Sequence, residues 1–216
     1  MGVDIAVVDY GMGNLHSVAK ALEHVAEEAE VVMTGDARTI LDAGRVVFPG
    51  QGAAPDCMRE IDARGLRDVI VHVAREKPFL GICMGLQVLF GHSDEGDTPC
   101  LGIFPGQVKR FPQDRMVDAN GNRLKVPHMG WNNVRHPRPH PLWSDIADGE
   151  RFYFVHSYFV VPEQPDLAAG YADYPFEFVC ACARDNIFAV QFHPEKSASA
   201  GLRLLANFAG WNGNPA

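Results

Sequence analysis

Hydrophobic positions in the first half of the chain alternate between two rhythms. Asp4 to Asp9 (DIAVVD) is a short β-branched run closed by Gly11 and Gly13, the pattern of a buried strand. Leu15, Val18, Ala19, Leu22 and Ala26 then recur at helical spacing. Glu30 to Met33 and Arg45 to Phe48 read as further strands. Between them the pattern predicts a short helix over Asp36 to Ala43, with Asp36 as its N-cap. Leu66 to Glu76 predicts a helix, Pro78 to Ile82 an apolar strand, and Gly85 to Phe90 another helix. This βαβα order implies a parallel sheet with helices on its faces.

The second half changes character. Gln107 to Phe111 and Arg123 to Val126 read as strands flanking Asp118-Ala119-Asn120-Gly121, where Asn-Gly is a turn signal. His136 to Pro141 (HPRPHP) reads as a proline-rich loop that leaves His136 and His140 in solvent. Arg151 to Tyr158, Phe178 to Arg184 and Ile187 to Phe192 are predicted strands. Ser197 to Phe208 is predicted to close the chain as a helix, capped by Ser197 or Ser199. No internal repeat and no long linker interrupts the pattern. The expected fold is α/β: one domain over residues 1–216, with a mainly parallel central sheet flanked by helices and a smaller antiparallel section in the second half.

Composition narrows the classes. With 216 residues, 47% hydrophobic and 21% charged, the chain has enough apolar surface to order itself. Its 21 Gly and 15 Pro are too few for a collagen-like or low-complexity chain. A net charge of −8 argues against a general nucleic-acid binder. No membrane span is expected. The longest apolar stretch, Pro78 to Phe90, is broken by Gly81, Gly85 and Gln87 and falls short of the roughly 18 residues required. Asp4 and Asp9 stand where a signal peptide would be apolar. Cysteines at 57, 83, 100, 180 and 182 are odd in number and form no disulfide framework, which suits a reduced, cytoplasmic protein.

The strongest chemical signal is Gly81-Ile82-Cys83-Met84-Gly85, between a predicted strand and a predicted helix. It is the G-x-S-x-G elbow with Cys at the nucleophile position. The glycines allow a tight turn that lifts the side chain above the sheet, at a helix N-terminus that favours thiolate. A buried, inert cysteine is the plainer alternative. A thiolate acting on an amide needs a base that later serves as acid. His193 is the best candidate, because in His193-Pro194-Glu195 an extended backbone points His193 and Glu195 the same way. A surface His–Glu pair at a strand end is the alternative. Pro49-Gly50-Gln51-Gly52-Ala53 follows a strand, and its glycines let backbone N–H groups face an oxyanion; an ordinary βα turn would look the same. Gly11-Met12-Gly13 is no dinucleotide fingerprint, since His16 takes the third glycine position. Cys180-x-Cys182 lacks a second ligand pair and reads as two small residues sharing one core face. Neither metal nor cofactor is expected.

Six stretches, in order along the chain, carry a resemblance: Asp9-Tyr10-Gly11-Met12-Gly13-Asn14, Pro49-Gly50-Gln51-Gly52, Gly81 to Gln87, Val126-Pro127-His128-Met129-Gly130-Trp131-Asn132, Tyr153-Phe154-Val155-His156-Ser157-Tyr158, and Gln191 to Ser197. The chain resembles class I (triad-type) glutamine amidotransferases. Within them it resembles the family of glutaminase subunits of imidazole glycerol phosphate synthase, in histidine biosynthesis. Gln51 departs from the family's usual Val, and Met84 and Leu86 exchange the common Leu and Met. The resemblance implies that Cys83 attacks the carboxamide of L-glutamine, that His193 moves the proton and that Glu195 orients His193. It implies an oxyanion and substrate site at Gly50, Gly52, Met84, Gln87, His156, Ser157 and Tyr158. It implies a heterodimer with a (β/α)8 cyclase subunit that consumes the ammonia, met through Asn14, Trp131, Tyr153 and Lys196. A triad glutaminase serving another synthase, such as anthranilate synthase, and a non-catalytic binding module are the competing readings. As an isolated subunit the chain is expected to show low glutaminase activity, because the oxyanion strand is not preorganised without a partner.

Overall fold

The computed structural model describes residues 3–112, 114, 116–117 and 121–215. The first half runs β1 (Ile5–Val8), α1 (Leu15–Val25), β2 (Val31–Thr34), α2 (Ala37–Asp42), β3 (Arg45–Gly50), α3 (Ala54–Ala63), α4 (Arg67–Glu76), β4 (Phe79–Cys83) and α5 (Met84–Gln87). The second half adds β5 (Phe90–Ser93), β6 (Thr98–Pro99), β7 (Phe104–Arg110), β8 (His128–Val134), β9 (Glu150–His156), β10 (Tyr158–Pro162), β11 (Ala168–Asp173), β12 (Glu177–Arg184), β13 (Ile187–Val190) and α6 (Ala198–Gly210).

The main sheet has the order β2-β1-β3-β4-β13-β12-β10-β7-β5-β6, with β11 on β12. Its central block, β2-β1-β3-β4-β13, is parallel throughout. Beyond β13 the second half extends the sheet with antiparallel pairs as far as β7, which β5 joins in parallel, and β8 and β9 form a separate antiparallel ribbon. The α/β architecture therefore matches the expectation.

Strict alternation on the parallel strands divides the core. Ile5, Val7, Val47, Leu80, Ile82, Phe188 and Val190 face one side, where Val18 and Leu22 of α1 and Leu204, Leu205 and Phe208 of α6 cover them. Val8, Val46, Phe48, Phe79, Ile187 and Ala189 face the other, under Ile40 of α2, Met58 and Ile61 of α3, and Ile70 and Val73 of α4. Strands buried on both faces read as continuous apolar runs, which is why they stood out in the sequence.

Local signals were obeyed where the backbone alone decides. Asp36 caps α2, its Oδ1 accepting from the Thr39 N–H at 2.8 Å. Several expectations need correction. The predicted helix Gly85–Phe90 is one turn, and Phe90 already opens β5, because a short apolar run fits helix and buried strand equally. Arg123–Val126 is no strand; only a single bridge, Val117 to Arg123, forms there. Within the predicted turn before it, positions 118–120 lie outside the described residues. Ser197 sits at the N-cap of α6 without capping it, because its hydroxyl donates to the His193 carbonyl and accepts from the Tyr153 N–H. His140 is buried against Phe188 and Trp211, and His136 stacks on Trp143 at 4.1 Å, so these rings fill the core edge instead of standing in solvent. Cys180 and Cys182 are both buried, but in different halves of the core. Helix α3, absent from the sequence reading, carries its apolar residues at Ala54, Cys57, Met58 and Ile61.

Candidate active site

Parallel strands deliver their ends to one edge of the sheet. Gly50, the last residue of β3, is the direct neighbour of Cys83, the last of β4. On the other side of β4, β13 ends at Val190, paired with Ile82, so the following residues emerge beside Cys83. That placement joins the two sequence-distant groups: Cys83 and His193 line one cavity of about 420 Å³. Crevices at the carboxyl ends of parallel strands are where α/β sheets bind ligands.

Cys83 holds φ 56° and ψ −107°, a conformation costly for a residue with a side chain. The glycines on either side explain how the turn closes. A Cβ on Gly85 would lie 1.8 Å from the Phe48 carbonyl oxygen, and one on Gly81 would lie 2.7 Å from the Gly85 carbonyl oxygen. Only glycine lets α5 sit so tightly over β3 and β4. The helix after the elbow has four residues, too short to contribute much dipole, so the predicted dipole stabilisation of a thiolate is small.

His193 is extended, as Pro194 dictates, but residues Pro194–Lys196 form a 3-10 turn instead of continuing the strand. The turn still returns Glu195 to the ring: Nδ1 of His193 and Oε1 of Glu195 are 2.9 Å apart, with both side chains almost fully buried. A Cβ on Gly201 would strike the Pro194 carbonyl, so α6 presses the turn into place. Among the described residues Nε2 of His193 has no hydrogen-bond partner. Burial alone would lower the imidazole's affinity for a proton. The Cys83 sulfur and the Glu195 carboxylate outweigh burial and raise it well above the ordinary range.

The remaining predicted residues divide into groups. Gly52, Met84, Gln87, His156, Ser157 and Tyr158 all line the cavity. Gly50 lies behind its wall, where a Cβ would strike the Tyr10 hydroxyl and Met84. Gln87 donates to Gln191 Oε1 at 2.9 Å and to the Tyr158 carbonyl at 3.2 Å, leaving its own Oε1 buried and unpaired among the described residues. Trp131 and Tyr153 meet across the β8–β9 ribbon, with ring centroids 6.1 Å apart, and Trp131 is 44% exposed beside exposed Met129. Lys196 lies at the cavity rim, and half-buried Asn14 starts α1 without capping it by its side chain.

Two contributors were missed. Gln191 Nε2 donates to Cys83 Sγ at 3.7 Å. Glu95 puts a half-buried carboxylate into the cavity wall, and its Oε2 accepts from the Ala54 N–H at 2.8 Å. Burial holds its carboxyl above the usual range, against the opposing backbone bond. In the sequence Glu95 is one acid in the turn Asp94-Glu95-Gly96-Asp97, with no signal to separate it from a solvated loop.

Two neutral imidazoles follow, His156 in the cavity lining and His128 hydrogen-bonded to it. The Tyr158 carbonyl can only accept, so His156 Nδ1, 2.7 Å away, carries the proton. His156 Nε2 then accepts from His128 Nδ1 at 2.9 Å, and His128 Nε2 accepts from Asn132 Nδ2 at 3.3 Å. Burial, chiefly, pushes His128 and His140 down to about 4 and His156 down to about 3. Below the unfolded value of about 6.5 the unfolded chain takes up protons that these folded rings refuse, so stability falls with pH from there toward about 4. Each ring contributes at most about 1.4 kcal/mol per pH unit in that window. His193 is shifted the other way. Its contribution is complete below about 6.5 and is lost only on the alkaline side, so it leaves the acid limb unchanged. Thermal unfolding should therefore show a lower Tm at pH 5 than at pH 6.5, where the His193 contribution is still complete. An equal Tm at both would mean that these rings charge freely in the fold.

Among the described residues no group of three His, Cys, Asp or Glu is placed to hold a metal ion, and no helix is long and apolar enough to cross a membrane. The family profile "Glutamine amidotransferase class-I" matches residues 6–210. The chain is 72% identical over 212 residues to "Imidazole glycerol phosphate synthase subunit HisH" of Thiobacillus denitrificans, covering 98% of this chain and 93% of that one. The protein of the same name in Dechloromonas aromatica is 64% identical over 210 residues, covering 97% of each. Among solved structures, a GMP synthase component from Thermoplasma acidophilum superposes with a TM-score of 0.69 at 19% identity, over 97% of this chain and 94% of that one. A glutamine amidotransferase from Thermotoga maritima gives 0.62 at 14% identity, over 93% and 79%. These two likenesses concern the fold.

Proposed function

Because this chain belongs to the class-I glutamine amidotransferase family, we propose that it is a glutaminase that releases ammonia from L-glutamine for a partner cyclase subunit. The reading treats residues 1–216 as one amidotransferase unit. The observation that carries it is the pairing at the sheet edge. His193 gives Nδ1 to Glu195 and keeps Nε2 unpaired in the cavity that Cys83 enters from a strained elbow.

The chemistry follows from those positions. Cys83 loses its thiol proton to His193 Nε2, and its sulfur adds to the Cδ carbonyl of glutamine. The new oxyanion is met by backbone N–H groups of the Gly50–Gly52 segment and Met84. His193 returns the proton to the leaving nitrogen, the C–N bond breaks, and a glutamyl thioester and ammonia remain. Water, deprotonated by His193, attacks the thioester; glutamate leaves and the thiol is restored. Glu195 stabilises the imidazolium in each step and fixes the tautomer. The Glu95 carboxylate and the unpaired Gln87 Oε1 are acceptors suited to the α-ammonium of glutamine. Glu195→Gln should lower turnover about 10²- to 10⁴-fold, less than loss of the sulfur, with little change in KM. Initial rates of glutamate formation test this; a loss as great as that of Cys83→Ala would mean that Glu195 does more than orient.

Ammonia must reach its acceptor unprotonated, since ammonium has no lone pair. That need favours direct transfer to a bound partner. Relatives at 64–72% identity carry the name of a synthase subunit, and the exposed face of β8 with Trp131 and Met129, close to Tyr153 and Lys196, is the surface we assign to the cyclase. Five free, buried thiols suit a cytoplasmic setting. The deciding experiment mixes the chain with glutamine, alone and with the cyclase subunits of imidazole glycerol phosphate synthase and, separately, the synthase subunit of anthranilate synthase. Ammonia release that rises only with the first supports the proposal. Stimulation by the second alone would reassign the partner.

A further inference from the structure

Gln51 and Gly52 form part of the wall of the cavity that His193 lines, and what holds that wall lies behind it in the core. Cys57, on α3, is fully buried and donates from its thiol to the Gln51 carbonyl at 3.3 Å. Tyr10, also fully buried, donates its hydroxyl to Cys57 Sγ at 3.7 Å. The same hydroxyl packs against Gly50, where a Cβ would collide with it. Tyr10 and Cys57 thus back the Gly50–Gly52 segment from the side away from the cavity.

A trans peptide points its C=O and its following N–H in opposite directions. If the Gln51 carbonyl is drawn inward to Cys57, the Gly52 N–H is turned outward, and outward here is the cavity that Gly52 and Cys83 share. Gly52 has φ 88°, a setting that glycine alone adopts readily, so no side chain at this residue fixes the direction of the peptide and the anchor must come from elsewhere. We infer that Cys57, seconded by Tyr10, is a positioning residue whose thiol anchors the Gln51 carbonyl and so aims the Gly52 N–H at the developing oxyanion. This rests on the glutaminase reading and adds to it a device outside the triad. Burial keeps both groups in their donor forms: it pushes the Cys57 thiol up to about 11 and raises the Tyr10 hydroxyl well above its ordinary range.

The plainer view is that Cys57 is a small apolar residue filling a gap under β3. The two views predict opposite orders for two substitutions. A gap-filler tolerates alanine better than serine, because serine brings a hydroxyl into an apolar site. An anchor tolerates serine better, because serine keeps the donor. A neutral hydrogen bond of ordinary strength corresponds to a change of about three- to ten-fold in rate. For the full chain assembled with the cyclase subunit, kcat for L-glutamine should fall about three- to ten-fold in Cys57→Ala and recover toward wild type in Cys57→Ser. KM should hold constant, since the donor acts on the oxyanion and not on bound glutamine. Tyr10→Phe should lower kcat in the same direction by less. Cys57→Ala turning over as fast as Cys57→Ser, or a loss expressed only in KM, overturns the inference. If Cys57→Ala does not fold, Tyr10→Phe decides: kcat reduced at constant KM supports the anchor, and unchanged kcat refutes it. A wild-type assembly that never hydrolyses glutamine would instead strike the glutaminase reading, and the anchor with it.

Discussion

Cys83→Ala is expected to end glutamine hydrolysis, lowering turnover by at least about 10⁴-fold, while the chain stays folded. The argument is one of access. Cys57, Cys100, Cys180 and Cys182 are buried, and none of them lines the cavity that holds His193, so no second thiol substitutes. Activity and stability are also predicted to separate. Alanine keeps the φ of 56° that the elbow imposes and should melt close to wild type. Cys83→Gly removes the cost of a Cβ at that φ and should be more stable than Cys83→Ala by about 1 kcal/mol. Glutamate formation and thermal melting of the three proteins check both halves. Retained turnover in either variant would remove Cys83 from the mechanism. An alanine variant as stable as the glycine variant would mean that the elbow stores no strain.

Gly85→Ala should be among the most damaging substitutions at a position with no chemistry of its own. The added Cβ would stand 1.8 Å from the Phe48 carbonyl oxygen, and that atom belongs to a central strand paired on both sides. Neither β3 nor the elbow can yield independently, since β3 is fixed in register to β4 and β4 leads directly into the turn. Overpacking of this kind costs about 3 kcal/mol or more, which lowers Tm by roughly 6–12 °C in a chain of this length. Calorimetry on the purified variant gives the number. A melting point within about 2 °C of wild type would show that the elbow relaxes at little cost, so that close approach to Phe48 is not what demands glycine there.

The sequence was most legible where a residue's neighbours in the chain are also its neighbours in space. Periodicity found β1, α1, β3, α4 and β4, because strands buried on both faces and amphipathic helices write their packing locally. The elbow was half readable for the same reason: Gly81 makes way for the Gly85 carbonyl four residues on, whereas Gly85 makes way for distant Phe48. Helix α3 was hidden because its N-cap, Ala53, carries no capping side chain; the cap comes from Glu95, far along the chain. His193 and Glu195 were paired for a partly wrong reason, since a 3-10 turn and not an extended strand brings them together. Glu95, Gln191 and Cys57 act through contacts that their immediate chain neighbours do not make, and no local pattern encodes such partners. His140 was misplaced because proline-rich composition predicts a loop but does not tell which of its side chains turns inward.

The order of strands in the main sheet has a consequence for synthesis. β13 stands between β4 and β12, yet it is encoded after nearly everything else in the chain. While the ribosome is still making residues 84–186, the outer side of Phe79–Cys83 has no strand to pair with and offers an apolar, hydrogen-bond-hungry border to any other polypeptide. Nascent chains of this protein should accordingly be most vulnerable to clumping late in translation, and a stop codon shortly before Ile187 should yield insoluble material where much shorter fragments need not.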